Sequence, residues 1–253
     1  MSTALIVLPT YNERENLGPV VNRLLATHPS LDVLVVDDNS SDGTGELADQ
    51  IATENKRVTV HHRAGKLGLG TAYLEGFRIA LERGYDYVFE FDADGSHPAN
   101  RIPEMLRQLD DGADLVIGTR WMPGGRTENW PLRRQFISRG ASLYSRIMLR
   151  SKLRDLTAGF RGYRASALKD ADVWSVSSAG YCFQIETAWM FERRGFDVRE
   201  IPITFVEREI GTSKMSTAIV IEALWRVLAW GVGVRLADAQ HLAGRARNEA
   251  RAQ

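Results

Sequence analysis

The sequence predicts an α/β fold, a mostly parallel sheet flanked by helices, on three observations. Short apolar runs alternate with amphipathic helical patterns through the first 120 residues, the rhythm of right-handed βαβ units. The runs at residues 4–8, 32–37 and 87–92 are apolar at nearly every position, as strands covered on both faces are. Each then breaks into polar residues, and in an open α/β sheet the carboxyl ends of the strands share the edge where ligands bind.

Residues 4–8 form the first strand and end at the loop Pro9-Thr10-Tyr11-Asn12-Glu13. Leu17, Val20, Val21, Leu24 and Leu25 recur at helical spacing and predict a helix over about 14–28. Asp32-Val-Leu-Val-Val-Asp37-Asp38 is a second buried strand, and Asp42 or Thr44 can cap the helix that follows over about 44–54. Val58–His62 is a third strand, and Gly65-Lys66-Leu-Gly68-Leu-Gly70 leads into a helix over about 70–83. The strand at 87–92, a helix over about 99–110 and the strand Asp114–Gly118 complete the alternation. Beyond residue 120 come a basic loop, a helix over about 134–150, mixed short elements to about 207 and an amphipathic helix over about 216–241.

The run at 87–92 ends in Asp92-Ala-Asp94-Gly-Ser96-His97. Two carboxylates at a sheet edge repel each other unless a cation lies between them, and hard oxygen ligands favour Mg²⁺ or Mn²⁺. Mg²⁺ completes its shell with substrate phosphates and water, so the pair predicts a metal bridge to a phosphorylated substrate. The spacing by itself says little, since aspartates two apart arise about once by chance in such a chain. Asp170-Ala-Asp172 repeats the same letters after a polar stretch with no strand before it, and reads as a solvated turn.

The 253 residues suffice for one large α/β domain. Lys plus Arg and Asp plus Glu number 32 each, so no global charge field points to nucleic acid. Charge is uneven, however. Arg120, Arg126, Arg133, Arg134, Arg139, Arg146, Arg150, Lys152 and Arg154 share their stretch with one acidic residue, Glu128. The single cysteine, Cys182, excludes an intramolecular disulfide and fits a reducing compartment. The N-terminus lacks the basic start and cleavage site of a signal peptide. No run is long and apolar enough to span a membrane.

Leu8-Pro9-Thr10-Tyr11-Asn12-Glu13, Val36-Asp37-Asp38-Asn39-Ser40-Ser41-Asp42-Gly43-Thr44 and Asp92-Ala-Asp94 resemble the nucleotide-sugar half of a family 2 glycosyltransferase of GT-A (Rossmann-like) fold. Gly118-Thr-Arg120, Arg133-Arg134-Gln-Phe-Ile-Ser138-Arg139-Gly140, Asp155-Leu-Thr-Ala-Gly159-Phe-Arg161-Gly-Tyr163 and Arg208-Glu-Ile-Gly211-Thr-Ser-Lys214 narrow the resemblance to dolichol- or polyprenol-phosphate mannose synthases. The resemblance covers about residues 4–216 and implies transfer of mannose from GDP-mannose to a polyprenyl phosphate. It implies a catalytic domain over 1–215 with its acceptor side at about 120–215; the residue pattern adds an amphipathic helix over 216–242, and residues 243–253, rich in Arg and Ala, read as a disordered, frayed tail.

Carried over residue by residue, it places guanosine on Pro9, Tyr11, Glu13 and Asp38, and the metal and diphosphate on Asp92 and Asp94. Ser96 stands where the family often has a Gln in the metal shell, a departure that leaves the third ligand open among Ser96, His97 and water. His97, just before Pro98, reads first as a helix-start residue. Arg120, Arg134 and Ser138 match acceptor-phosphate positions, and Arg208 and Lys214 match a loop that folds over the donor diphosphate. A phosphate monoester with its second pKa near 6 is already a nucleophile at neutral pH. The site therefore needs cations to hold two anions together, not a strong general base. Asp92, Asp94, Arg120 and Arg134 are the residues expected to carry catalysis.

Phe136-Ile137, Leu143-Tyr144 and Ile147-Met148 recur at helical spacing beside basic residues, and residues 218–235 are apolar but carry Glu222, Arg226 and Arg235. Core packing and a membrane interface are rival readings of both stretches, and the lipid substrate favours the interface. The expected location is the cytoplasmic face of a membrane, held peripherally, with room for a separate membrane-anchoring protein. Rival functions fit the residues less well. A Rossmann oxidoreductase fails because Gly65-Lys-Leu-Gly68-Leu-Gly70 lacks the G-x-G-x-x-G spacing directly after the first strand. A non-catalytic nucleotide-sugar binder would have no need of Arg120 and Arg134. A polyprenyl-phosphate glucosyltransferase using UDP-glucose is the nearest rival, although such proteins usually carry membrane-spanning helices.

Overall fold

The computed structural model describes residues 2–178, 180, 182–208 and 220–236. Its first half follows the predicted alternation: β1 (Ala4–Thr10), α1 (Arg14–Leu25), β2 (Leu31–Asp37), α2 (Thr44–Glu54), β3 (Val58–His62), α3 (Leu69–Glu82) and β4 (Tyr87–Glu90). A turn of 3₁₀ helix (Ala99–Arg101) then runs into α4 (Ile102–Asp110), followed by β5 (Leu115–Thr119). The rest comprises β6 (Arg126–Glu128), α5 (Leu132–Leu149), β7 (Arg161–Arg164), α6 (Ala165–Asp170), α7 (Cys182–Arg193), β8 (Val198–Pro202) and β9 (Thr204–Val206). Residues 220–236 form a last helix, α8. It falls within the predicted 216–241; residues 216–219, 237–242 and the tail 243–253 lie outside the described residues.

The main sheet has the order β3-β2-β1-β4-β7-β5-β8 and is parallel except for β7, which runs antiparallel to both its neighbours. Each strand of the first half alternates its side chains between two cores. Leu5, Val7, Leu34, Val36 and Val88 face α3 and α7, while Ile6, Leu8, Val33, Val35 and Phe89 face α1 and α4. Burial of both faces explains the unbroken apolar runs. Against this sheet α3 lies so close that a Cβ on Gly76 would come within 2.3 Å of Val7, which only glycine avoids.

β7 was not foreseen as a strand. Its insertion sets Arg161 opposite both Glu90 and Ile117, so residues 155–160 pass directly over the end of β4. The two-stranded β6–β9 ribbon does the same from the other side. Its continuation donates Val206 N–H to the Ser96 carbonyl at 3.2 Å and delivers Arg208 to the end of β4.

α8 packs on α5 and α7. Trp230 stacks on Trp189 with ring centroids 6.1 Å apart, and Tyr144 donates to the Leu224 carbonyl at 3.0 Å. Arg235 donates to the carbonyls of Met148 and Ile147 at 2.7 and 3.1 Å, capping the C-terminus of α5. At the crossing a Cβ on Gly231 would lie 2.6 Å from the Met148 carbonyl oxygen. The helix has a buried face and an exposed one. Val227 is buried, whereas Ile221, Trp225, Val232 and Leu236 stand exposed beside exposed Leu132, Phe136, Leu143 and Ile147 of α5.

Candidate active site

The three polar clusters do meet at one edge of the sheet. The loops after β1 and β2 are stitched to each other. Asn12 N–H donates to Ser40 Oγ and Ser41 N–H to Asn12 Oδ1, both at 3.0 Å. Asn12 and Asn39 sit at φ 56° and 57°, which Asn tolerates better than most residues. Asp37 is spent inside this loop, accepting from Thr10 Oγ1 at 2.9 Å and from Ser40 N–H and Oγ at 3.0 and 2.6 Å. The α2 start is held by Asp42, which accepts from the Thr44 N–H at 3.0 Å.

A cavity of about 260 Å³ opens beside these loops. Pro9, Tyr11, Asp38 and Lys66 line it from the strand ends, and Cys182 and Glu222 from α7 and α8. Glu13, expected to hold the nucleoside, is not among its lining residues. Its Oε2 accepts from Asn16 Nδ2 at 2.8 Å at the start of α1, and its N–H donates to Thr44. Asp38 does face the cavity, on a buried ion pair with Arg63 at 2.6 Å. Burial pushes the Asp38 carboxyl above its usual range, and Arg63 offsets only part of that. Arg63 is fixed in turn by Thr71 Oγ1 at 2.6 Å and Glu75 at 3.2 Å. Lys66 Nζ sits 4.4 Å over the Tyr11 ring. Arg63 and Lys66 escaped the sequence reading. Their signal was position, since both follow the end of β3 as Asp38 follows β2.

At the end of β4, Asp92 keeps a third of its side chain exposed. Its Oδ1 accepts from the Tyr73 hydroxyl at 3.1 Å, and its Oδ2 lies 3.2 Å from His97 Nε2. Burial pushes the Asp92 carboxyl up, but His97, the Tyr73 hydrogen bond and the Arg208 charge outweigh it and hold the group below its usual range. Asp94 is committed on both oxygens. Oδ1 accepts from Ser96 N–H and Oγ at 3.0 and 2.6 Å, and Oδ2 pairs with Arg208 at 2.9 Å. Ser96 is therefore not placed as a metal ligand in this structure. It is buried, and its hydroxyl is turned to Asp94.

Beneath Asp92 lies a buried polar layer built from Glu90, Arg161 and Tyr163. Glu90 accepts from the Tyr163 hydroxyl at 2.6 Å. Arg161 donates to Thr187 Oγ1 at 2.8 Å and to the carbonyls of Ala158 and Leu156 at 2.8 and 3.0 Å. Burial raises the Glu90 carboxyl to about 7, against the opposing pull of Arg161 and Tyr163.

A second cavity, of about 240 Å³, starts at Asp92, Asp94 and Arg208 and passes Arg120, Arg134 and Ser138. It continues between α5, α7 and α8 along Ile137, Ala141, Tyr144, Ile185, Leu224 and Val227. Arg120 is not a free cation here. Its Nε and Nη2 form a two-pronged, buried pair with Asp155 at 2.7 and 2.8 Å. Burial pushes the Asp155 carboxyl up, but Arg120 pulls harder and holds it below its usual range. Arg134 is half-exposed, pairs with Glu207 and stacks 4.0 Å over the Trp130 ring. Lys214 and Gly211 lie outside the described residues. Asp170 and Asp172 are exposed at the end of α6, far from this edge in the fold, as their context predicted.

Among the described residues no three His, Cys, Asp or Glu side chains close on one point. The donor set suits a cation that keeps much of its shell for phosphate oxygens and water, as Mg²⁺ and Mn²⁺ do. One cavity lined by Tyr11, Asp38 and Lys66 and a second that is polar at Asp92 and Asp94 and apolar beyond share Leu69 in their walls, a plan that suits an enzyme moving a group between two substrates. The chain belongs to glycosyl transferase family 2, whose model matches residues 5–171. It is 50% identical over 233 residues to the polyprenol monophosphomannose synthase of Mycolicibacterium smegmatis, covering 92% of this chain and 88% of that protein. To the undecaprenyl-phosphate mannosyltransferase of Micrococcus luteus it is 51% identical over 231 residues, covering 91% and 95%. Among solved structures, the fold matches glucosyl-3-phosphoglycerate synthase from Mycobacterium tuberculosis with Mn²⁺, UDP-glucose and phosphoglyceric acid (TM-score 0.62, 19% identity, 92% of this chain and 79% of that one). It also matches a mannosyltransferase from Pyrobaculum calidifontis with GDP-Man and Mn²⁺ (TM-score 0.57, 17% identity, 98% and 79%).

Proposed function

We propose that the protein is an inverting, metal-dependent mannosyltransferase that moves mannose from GDP-mannose to a polyprenyl phosphate, giving polyprenyl-phosphate β-mannose and GDP. The observation that carries this reading is the second cavity. It is cationic and polar where it meets Asp92 and Asp94 and apolar beyond Ile137, which suits an acceptor with a phosphate at the end of a hydrocarbon chain. The names of the two relatives, each half identical over nearly their whole length, support the same acceptor and sugar.

In this reading Tyr11, Asp38 and Lys66 hold the nucleoside, with Arg63 fixing Asp38. Asp92 and Asp94 hold Mg²⁺ or Mn²⁺, which when bound neutralises charge on the departing diphosphate. Arg208 moves from Asp94 to the diphosphate, and Lys214 joins it. Arg134 and Ser138 bind the acceptor phosphate, while Arg120, locked on Asp155, shapes that pocket and lends it field. The acceptor dianion attacks the anomeric carbon directly, opposite the leaving GDP, so the configuration inverts and no side chain need remove a proton.

The exposed apolar faces of α5 and α8, flanked by Arg133 and Arg139, rest on a membrane surface, and we place the protein peripherally on its cytoplasmic face. No helix among the described residues is long and apolar enough to cross one. The test is turnover with radiolabelled GDP-mannose, UDP-glucose and UDP-GlcNAc against a polyprenyl phosphate, with Mg²⁺ or Mn²⁺. Preference for GDP-mannose is the expected result, and preference for a UDP donor overturns the donor assignment.

A further inference from the structure

We propose that His97 is a direct ligand of the divalent cation through Nε2, beside Asp92, in the place first given to Ser96; this rests on the metal-dependent reading above. The imidazole is 3% exposed, Nδ1 has no hydrogen-bond partner, and Nε2 meets only Asp92 Oδ2, at 3.2 Å and poorly aligned. A buried polar group left incompletely met is costly, so this ring calls for a partner beyond the poorly aligned Asp92 carboxylate. Nor can the ring turn to find one. Phe91 and Phe205 meet it edge-on at 5.3 and 5.5 Å, and Phe160 stacks on it at 5.5 Å. This aromatic box does the orienting that a hydrogen bond on the second nitrogen does in most histidine metal sites.

The box aims Nε2 at Asp92 Oδ2, 3.2 Å away and off the line of a hydrogen bond. In an octahedral shell with metal–ligand distances of about 2.0–2.1 Å, adjacent donors stand about 3 Å apart. The spacing of these two atoms therefore suits neighbouring corners of one coordination shell. Space is kept for it as well. A Cβ on Gly159 would lie 3.6 Å from Asp92 Oδ2 and 3.7 Å from His97 Nε2, so glycine leaves open the flank that both atoms face. Ser96 cannot compete while its hydroxyl is given to Asp94 at 2.6 Å. A nitrogen donor also biases the site. Mg²⁺ holds firmly to an octahedral shell of oxygens, so an imidazole donor shifts the balance between the two ions toward Mn²⁺.

The test uses the full chain with histidine alone labelled in ¹⁵N, loaded with Mn²⁺ and GDP and examined by pulsed electron paramagnetic resonance. A directly bound ¹⁵N coupling is expected in the wild type and is lost in His97→Gln. In that variant Mn²⁺ affinity, measured by titration, falls about tenfold and Mg²⁺ affinity falls less. Gly159→Ala, which keeps the imidazole and alters only the flank, also weakens Mn²⁺ binding, so the proposal stands on a second variant should His97→Gln fold poorly. Mn²⁺ bound to the wild type with no ¹⁵N coupling, or a coupling that survives in His97→Gln, overturns the inference alone. A wild type that takes up no Mn²⁺ overturns the inference and the metal-dependent reading together.

Discussion

Asp92-Ala-Asp94 and Asp170-Ala-Asp172 are the same three letters in two regions of one chain, and nothing else about them matches. The first follows a four-residue strand with no exposed side chain and sits where a hydroxyl, an imidazole and a guanidinium converge. The second ends a six-residue helix on the surface, and Asp172 takes φ 44° simply to turn the chain. Two residues upstream of Asp92 is Glu90, in a buried polar layer; two upstream of Asp170 is Leu168, in the apolar core. Placement at the end of a buried strand makes the first pair a site, because there the backbone fixes the carboxylates and water is scarce enough for charge to matter.

The sharpest way to break this contrast is to remove each pair in turn. Asp92→Ala is expected to lower mannosyl transfer by about 10³-fold, the scale of one preorganised electrostatic contact, while Asp172→Ala stays within about twofold of wild type, a size ordinary for a surface change. Similar losses in the two variants would sink the argument from placement. Stability should follow the same division. Asp155→Ala leaves Arg120 buried without its partner and should cost about 3 kcal/mol in denaturant unfolding, whereas Asp170→Ala should cost less than about 0.5 kcal/mol. Arg134→Ala should raise the acceptor KM about tenfold, the loss of one charge-assisted contact, with GDP affinity unchanged. Selective loss of GDP binding would move Arg134 to the donor side.

The smallest effect concerns the layer under Asp92. Glu90 is raised by burial from 4.5 to about 7, so between those values the folded protein binds the proton and the unfolded chain does not. Stability from this group is present at low pH and declines as pH rises through that window, by at most about 1.4 kcal/mol per unit. Glu90→Gln should flatten this part of the pH–stability curve, and an unaltered slope would contradict the assignment.

How much could be read in advance follows from range of interaction. The elements to residue 119 were legible, because burial on both faces writes itself as unbroken apolar runs and helical spacing is local. The placement of Asp92, Asp94 and Asp38 at the ligand edge of the sheet was legible from strand ends, and Arg134 and Arg208 were singled out by resemblance; both line the cavity that opens at Asp92 and Asp94. What escaped depends on contacts far apart in the chain. β7 is a four-residue strand, Arg161-Gly-Tyr-Arg164, whose polar letters make sense only opposite Glu90. Arg120 looked like a free cation until Asp155, 35 residues on, claimed both prongs of its guanidinium. Ser96 looked like a ligand because its hydroxyl's partner, Asp94, is visible only once the loop is folded. The amphipathic stretches could be either core or interface on periodicity alone; in the fold Val227 of α8 is buried, while Trp225 of α8 and Phe136, Leu143 and Ile147 of α5 stand exposed.

α8 lines both cavities, through Glu222 on one side and Ala223, Leu224 and Val227 on the other. That makes the helix a common partition, and a common partition imposes reciprocity. Whatever factor the nucleotide exerts on lipid affinity through the seat of α8, the lipid must exert on nucleotide affinity in return. Substitutions along this helix should therefore alter the two affinities together, and the chain cannot readily retune its choice of lipid without disturbing its hold on the nucleotide.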